Sequence, residues 1–543
     1  MLLSLGISAA PPPEWSTGGM VSADHALASA AGAEVLQRGG NAVDAAIASA
    51  LAAGVVQPAG SGLGGGGFAV VQNKEGPAQV LDFRERAPQA THRDIFAEHN
   101  NPKASQIGGL AVAIPGEAQG LAELHASHGR LPLKQVVAPA WRLAAKGFVV
   151  GYKLDQALSQ LTPKTILSME HLFGQANRPN RGDQVRRKAL AASLKAFSKH
   201  GADDFTEGWI AKDIVASVRS TGGLMSLEDC GLNPPRYRNP LTGSYKGWTV
   251  TTMPAPSSGG LVILQALQVL ENVDLASLGH NSSALLHRYA ETFQHAFADR
   301  ARYMGDPERT EIPVERLLSS QRTQEILAAF MSDQTLESDA YGMPLELGSD
   351  GGTQHISVID VQGNMVALTS TINTSFGSKV VTEHSGLVLN NEMDDFVARP
   401  GVPNAYGLVG SEANSVSPLA IPLSSMSPTI LTSPTGEKIA VGASGGPFII
   451  SATLQSIVNI IDFGMTASEA VSAPRVHHQW TPRALFVDKD IPLDVRQSLE
   501  SKGHSLRSMP FHSSVQMVYL DGSGQFHGAS DPRKGGRPAG VMR

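Results

Sequence analysis

Cysteine is nearly absent. The 543-residue chain holds one, Cys230, which excludes an intrachain disulfide and leaves no cysteine set for zinc. A large excess of either charge is missing as well: 43 basic and 49 acidic residues leave a net charge of −6. That balance argues against a nucleic-acid binder, which would carry a basic face or stripe. No run of about 18 apolar residues occurs, so the sequence offers no membrane-spanning helix. Apolar residues at 42% and charged ones at 17% are a globular balance rather than a disordered one. What is plentiful is glycine (56) and proline (33), the material of tight turns and close backbone approaches. At roughly 150 residues per domain the length allows three to four units, or two intimately packed halves.

The start, MLLSLGISAAPPPEW, is a short apolar stretch ending in small residues, followed by a Pro-rich spacer without a basic beginning. Residues 1–19 therefore read either as the remnant of a secretory segment, for a periplasmic or secreted protein, or as a plain flexible tail, which leaves the cytoplasm open. Asp24 and Asn41 are N-cap candidates for two Ala-rich helices separated by Gly39-Gly40. Val43, Ala46, Ile47 and Ala50 share one stripe of the second, where small side chains permit close packing. SGLGGGGFAVV is a glycine loop entering a strand, and AQVLDF is the next strand. In LVILQALQVLENV, Ile263, Leu264, Leu267 and Leu270 form one helix face, with Gln265, Gln268 and Glu271 opposite. Residues 332–352 lose periodicity and turn polar and Gly-rich, the composition of a mobile linker. From Thr353 the character changes to consecutive strands: QHISVIDV, MVALTSTINT and LVLNN.

Two motifs compete for attention. Gly62-Leu63-Gly64-Gly65-Gly66-Gly67 spells G-x-G-x-x-G, but a dinucleotide loop must follow a strand and open a helix. Here a helix precedes and a strand follows, so a structural or substrate-side loop is expected. Gly442-Ala443-Ser444-Gly445-Gly446 spells G-x-S-x-G between the strand KIAV and a helix, as a nucleophile elbow requires. Asp462, Asp488 and His504 follow in a permissible order, which supports a serine hydrolase built on Ser444. The competing reading is that the glycines matter: their backbone N–H groups at a helix start, ahead of Pro447, form an oxyanion pocket. Thr369, Thr371 and Asn373 share one strand face, opposite Val366, Leu368 and Ile372. Such a face serves either solvation or catalysis. His477 and His478 are adjacent on a strand and face opposite ways, without a third zinc ligand at suitable spacing, and read as structural. Cys230 has no motif around it.

The segments GGNAVDAAIA, GLGGGGF, LDFRERAP, PAPSSGG, TQHISV, TINTSFG, LNNEMDDF, PNAYGLVG, PLSSMSPT, GASGG and APRVHHQW run in order from about residue 20 to about residue 532. With them the chain resembles the γ-glutamyltranspeptidases, a family of N-terminal nucleophile hydrolases. The resemblance implies a precursor that cuts itself between Gly352 and Thr353, giving a large subunit (20–352) and a small catalytic subunit (353–543) that stay together as a heterodimer. The new N-terminal Thr353 is then the nucleophile. Its free α-amino group, with an ordinary pKa near 7.7–8.0, serves as base. Thr371 matches the threonine that hydrogen-bonds the nucleophile, and Gly445 and Gly446 match the oxyanion hole, leaving Ser444 a bystander.

The same resemblance assigns Arg84, Ser424 and Ser425 to the donor's α-carboxylate, and Asn373, Glu392 and Asp395 to its α-amino group. Tyr406 matches the tyrosine of a loop covering the glutamyl pocket. It implies an α+β fold, the four-layer αββα sandwich. Glutathione and other γ-glutamyl compounds are the expected donors, water and amino acids or dipeptides the acceptors, and no cofactor is required. Departures from the pattern are Pro447-Phe448, where Ser-Arg is frequent in bacterial members, and Gln354, where Thr is frequent. The alternatives are a glutaryl-type β-lactam acylase of the same fold, the Ser444 hydrolase on an α/β-hydrolase fold, and a processed but silent binding protein.

Overall fold

A computed structural model describes residues 10–74, 76–175, 177–337, 340–341, 352–397, 411–509 and 513–543. Fourteen strands build two seven-stranded sheets. They are β1 (Glu14–Ser16), β2 (Gly19–Ala23), β3 (Gly66–Gln72), β4 (Gln79–Phe83), β5 (Arg236–Arg238), β6 (Leu241–Tyr245) and β7 (Trp248–Thr252), followed by β8 (Gln354–Asp360), β9 (Met365–Thr371), β10 (Thr429–Thr432), β11 (Lys438–Ser444), β12 (Ser514–Leu520), β13 (Phe526–Ser530) and β14 (Ala539–Gly540). The first sheet runs β1-β13-β12-β11-β10-β7-β6 and the second β14-β2-β8-β9-β3-β4-β5, each antiparallel throughout. β8 and β9 lie against β11 and β12, so the sheets meet face to face. Helices α1 (Ala26–Gln37) and α2 (Ala42–Val56) cover the second sheet. Helices α3 (Gly259–Leu270), α4 (Ser283–Tyr303) and α5 (Phe448–Ile461) lie on the side of the first. This is the expected αββα sandwich. Residues 14–16, within the stretch read as a terminal tail, supply its edge strand β1.

The layers follow from side-chain size and period. α2 begins with a reciprocal cap between Asn41 and Asp44, as the sequence indicates. Every residue of α2 is buried, because its small side chains let α1 come close: a Cβ on Gly32 would strike Ser49. Asp24 is not the N-cap of α1. His25 is, its Nδ1 accepting from Leu27 N at 3.1 Å. Asp24 is instead claimed by tertiary donors, namely the backbone N of His355 (3.0 Å) and the side chains of Gln516 (2.7 Å) and Lys534 (3.1 Å). Gln265 does not lie on a solvated face either; it is buried and donates to Asp299 and to the Leu317 carbonyl. LVLNN forms no strand beyond a bridge between Val381 and Val388, because Asn390 is drawn to the carbonyls of Gly64 and Ala113. Of the segment 332–352, Thr335 and Tyr341 are tied by their hydroxyls to Glu291 on α4. Residues 338–339 and 342–351 lie outside the described residues.

Candidate active site

Thr353 stands one residue before β8, at the end of the second sheet where β8 and β9 finish side by side. Its Oγ1 lies 3.0 Å from Thr371 Oγ1, the last residue of β9. Thr371 Oγ1 accepts the backbone N–H of Asn373 at 2.8 Å, which leaves its own hydroxyl hydrogen for the Thr353 oxygen. The strand face Thr369/Thr371 is therefore not solvated. Thr369 bonds the buried His355 ring at 2.8 Å, and Thr371 bonds the nucleophile candidate. The backbone N of Thr353 donates to Gly60 O (3.0 Å). Thr353 has φ +89, a conformation in which a β-branched residue is a genuine outlier. Gly352 fits because a Cβ there would strike the Asn373 carbonyl.

Gly445 and Gly446 both take positive φ, +122 and +56, just before α5. Successive backbone N–H groups at a helix start form an anion-binding concavity. Gly446 lines the same cleft as Thr353 and Thr371. Ser444 does not. Its Oγ accepts from Lys534 Nζ at 2.7 Å, and the same ammonium donates to the Thr353 carbonyl at 2.6 Å. The three residues that would complete a serine triad are engaged elsewhere: Asp462 with Tyr245 (2.6 Å), Asp488 with Arg533 (2.8 Å) and His504 with His287 (2.7 Å). Ser444→Ala should therefore retain activity within about tenfold, since it removes one of three partners of Lys534 and no reacting atom. Its kcat against wild type is the check; complete loss in folded protein would restore Ser444 as nucleophile.

The cleft is lined by Arg84, Arg300, Thr353, Thr371, Asn373, Glu392, Asp395, the segment 423–426, Gly446, Pro447 and Ile449. Arg84, just after β4, pairs with Glu392 (2.8 Å), Asp395 (2.6 Å) and Glu85 (3.4 Å). Burial pushes the Glu392 carboxyl well above the usual range despite Arg84, and Glu85, also buried, is pushed up to about 8. Asn373 Nδ2 donates to Asn391 O at 3.1 Å, joining the end of β9 to the turn that carries Glu392 and Asp395. Ser424 Oγ accepts from Met426 N, so the two serines sit on a fastened turn. Of the expected site residues, Gly445 and Gly352 stand behind the lining and Tyr406 lies outside the described residues. The other nine line the cleft. Arg300 and Lys534 were not expected from the sequence.

The model of the family described as gamma-glutamyltranspeptidase matches residues 28–541. The chain belongs to the γ-glutamyltranspeptidase family. It is 39% identical over 524 residues to a glutathione hydrolase proenzyme of Escherichia coli, covering 95% of this chain and 90% of that one. A cephalosporin acylase from Bacillus halodurans superposes with TM-score 0.86 at 26% identity, over 100% of this chain and 99% of that one. A γ-glutamyltranspeptidase of Helicobacter pylori is 34% identical with TM-score 0.58, over 63% of this chain and all of that one.

The membership fits the fate of the other motifs. The Gly62–Gly67 run packs directly on the end of β9 and against Val388: a Cβ on Gly65 would strike the Thr371 carbonyl, and one on Gly64 the Val388 carbonyl. His477 bonds Ser451 (2.8 Å) and Gln479 (3.0 Å) and stacks on Phe448, so it is structural. Cys230 is buried, and burial pushes its thiol up to about 12, far from a reactive thiolate.

Behind β9, Ser370 Oγ donates to Glu117 at 2.5 Å, and burial holds the Glu117 carboxyl up to about 8. An unfolded glutamate releases its proton near 4.3. The folded state thus holds the extra proton between those values, and stability falls as pH rises through that window. Glu85 acts in the same direction. Glu117→Gln should therefore flatten the decline of Tm between about pH 5 and 8 and raise Tm at pH 8, measured by calorimetry.

Proposed function

We propose that this chain is a self-cleaving γ-glutamyltranspeptidase and glutathione hydrolase whose nucleophile is Thr353. The observation that carries the reading is the 3.0 Å pair of Thr353 and Thr371 hydroxyls in the cleft that also holds Arg84, Glu392, Asp395 and Gly446. In the first step Thr353 Oγ1 adds to the Gly352 carbonyl, the peptide becomes an ester, and water releases Gly352 as a carboxylate. The freed α-amino group then takes the proton from Oγ1 as the hydroxyl attacks a donor γ-carbonyl. The Gly445 and Gly446 N–H groups receive the oxyanion. The leaving amine departs with a proton, and water or an acceptor amine then attacks the γ-glutamyl ester carbonyl, breaking its bond to Thr353 Oγ1, which leaves as the hydroxyl.

Recognition of the amino-acid head follows from exchange within the Arg84 cluster. A donor offers an ammonium to Glu392 and Asp395 and a carboxylate to Arg84, Ser424 and Ser425, replacing the ion pairs within the cluster by charge-assisted contacts to the substrate. Subunits 20–352 and 353–543 and a lid carrying Tyr406 belong to the same reading.

The likeness to a cephalosporin acylase makes a glutaryl donor, which lacks the α-amino group, the second reading. Asp395→Asn separates the two. On a γ-glutamyl anilide kcat/KM should fall roughly ten- to hundredfold, the effect of losing a charged hydrogen bond. On a glutaryl anilide it should change little. Equal losses on both donors would place the ammonium elsewhere.

A further inference from the structure

Arg84 cannot be the whole answer to a substrate carboxylate. Its guanidinium is already shared by three carboxylates, Glu392 at 2.8 Å, Asp395 at 2.6 Å and Glu85 at 3.4 Å. Its remaining contacts are backbone carbonyls, Pro422 and Leu423. A further anion approaching this guanidinium finds its donors already taken by these carboxyl groups and carbonyls. The cleft holds a second guanidinium, Arg300 on α4. Arg300 is buried. Its Nε donates to Ser258 Oγ at 2.8 Å, and Nη2 points at Ser425 Oγ at 3.5 Å. Among the described residues it forms no ion pair. A buried cation without a bound counter-ion is a costly arrangement, and Asp395 offsets it only at a distance.

We propose that Arg300 is a specificity-determining residue: its guanidinium, beside Ser425, supplies the net positive charge that selects donors carrying an α-carboxylate. The inference rests on the γ-glutamyl reading of the cleft and deepens it. Arg84 fixes the geometry of the receptor turn while its donors are engaged by Glu392 and Asp395; Arg300 provides a second guanidinium without an ion-pair partner among the described residues. A carboxylate bound at Ser425 lies within charge-assisted reach of Nη2. The bland alternative is that Arg300 only fastens the serine turn, because Ser258 Oγ also donates to Ser424 O at 2.8 Å.

The test uses the full chain, with processing checked by intact mass. Inhibition constants are measured for L-glutamate and for 4-aminobutanoate, the same molecule without the α-carboxylate, against a γ-glutamyl anilide. In Arg300→Met the KM of the anilide and the Ki of L-glutamate should rise roughly ten- to hundredfold, with kcat and the Ki of 4-aminobutanoate changing less than about threefold. Arg300→Lys, which keeps the charge, should recover most of the glutamate affinity. Equal weakening of both inhibitors, or no recovery with lysine, would make Arg300 a purely structural fastener and overturn the proposal. Unchanged glutamate binding in Arg300→Met would do so as well. Should Arg300→Met not fold, glutamate affinity in Arg300→Lys and Arg300→Gln decides: equal affinity in the two contradicts a charge role. Failure of the wild-type protein to turn over the anilide at all would instead count against the γ-glutamyl reading.

Discussion

Thr353→Ala should leave a full-length chain with no measurable turnover of a γ-glutamyl anilide, a loss on the order of 10⁴-fold or more. Two functions vanish together, since the hydroxyl that would cut Gly352–Thr353 is also the one that would carry the acyl group. The backbone of the uncut chain gives a physical reason for cleavage at this bond. Thr353 holds φ +89, and a non-glycine residue in such a region is strained by about 1–3 kcal/mol. After scission the constraint disappears, because an N-terminal residue has no preceding carbonyl carbon to define φ. Neighbouring contacts keep the strain in place: Gly352 N donates to Asn373 O at 3.1 Å and Thr353 N to Gly60 O at 3.0 Å. Intact mass and activity of the purified variant decide the matter. A fully active single chain, or a variant cut at the same bond, would remove Thr353 from both roles.

Gly445→Ala should lower kcat by about 10²- to 10³-fold, the usual effect of losing an oxyanion donor, equivalent to about 2.7–4 kcal/mol. The residue has φ +122, which an L side chain rarely adopts, and a Cβ would come within 2.9 Å of Ser513 Cα. Relief requires the 445–446 peptide to turn, and the N–H groups lose their aim. Donor KM should change far less, because the residues proposed to hold the amino-acid head, Arg84, Glu392 and Asp395, are not the ones displaced. Steady-state kinetics on protein shown to be processed provides the measurement. A kcat within about threefold of wild type would mean that the oxyanion is held by other groups.

The parts of this site that were legible in the sequence are those set by local period or by a colinear match. Thr369 and Thr371 could be placed on one face of a strand from spacing alone, whereas Asn373, read onto the same face, lies past the end of β9 at φ +71; the glycines before α5 could be placed from a strand–turn–helix order. What escaped was decided by partners hundreds of residues away. Asp24 has the chemistry of an N-cap, yet its oxygens are taken by His355, Gln516 and Lys534. Propensity carries no information about donors that arrive from another sheet. The Gly62–Gly67 run was separable from a nucleotide loop by element order, but its purpose, contact with the Thr371 and Val388 carbonyls, required the fold. Arg300 did leave a trace. It falls at helical spacing from Phe293, Ala296 and Phe297, on a stripe otherwise apolar, and a charge in such a position calls for a buried use. Lys534 left none, since a lysine in a Gly-rich terminal segment is ordinary.

The strand order has a consequence for the lifetime of the processed molecule. In the second sheet β2 lies between β14 and β8, and β9 pairs with β3, so strands from both sides of residue 352 are interleaved. Before the cut, folding is a first-order event for a single chain. Once the bond is gone, complete unfolding releases two fragments, each with half-filled sheets and bare edges that invite aggregation. Recovery then becomes second-order in protein, and the tether that raised the local concentration of one part around the other is lost. Heating should be reversible to different extents in the two forms: the uncut Thr353→Ala chain recovers independently of dilution, the cut one poorly and less so when dilute. The working life of the mature enzyme is thus governed by the height of its unfolding barrier rather than by an equilibrium constant.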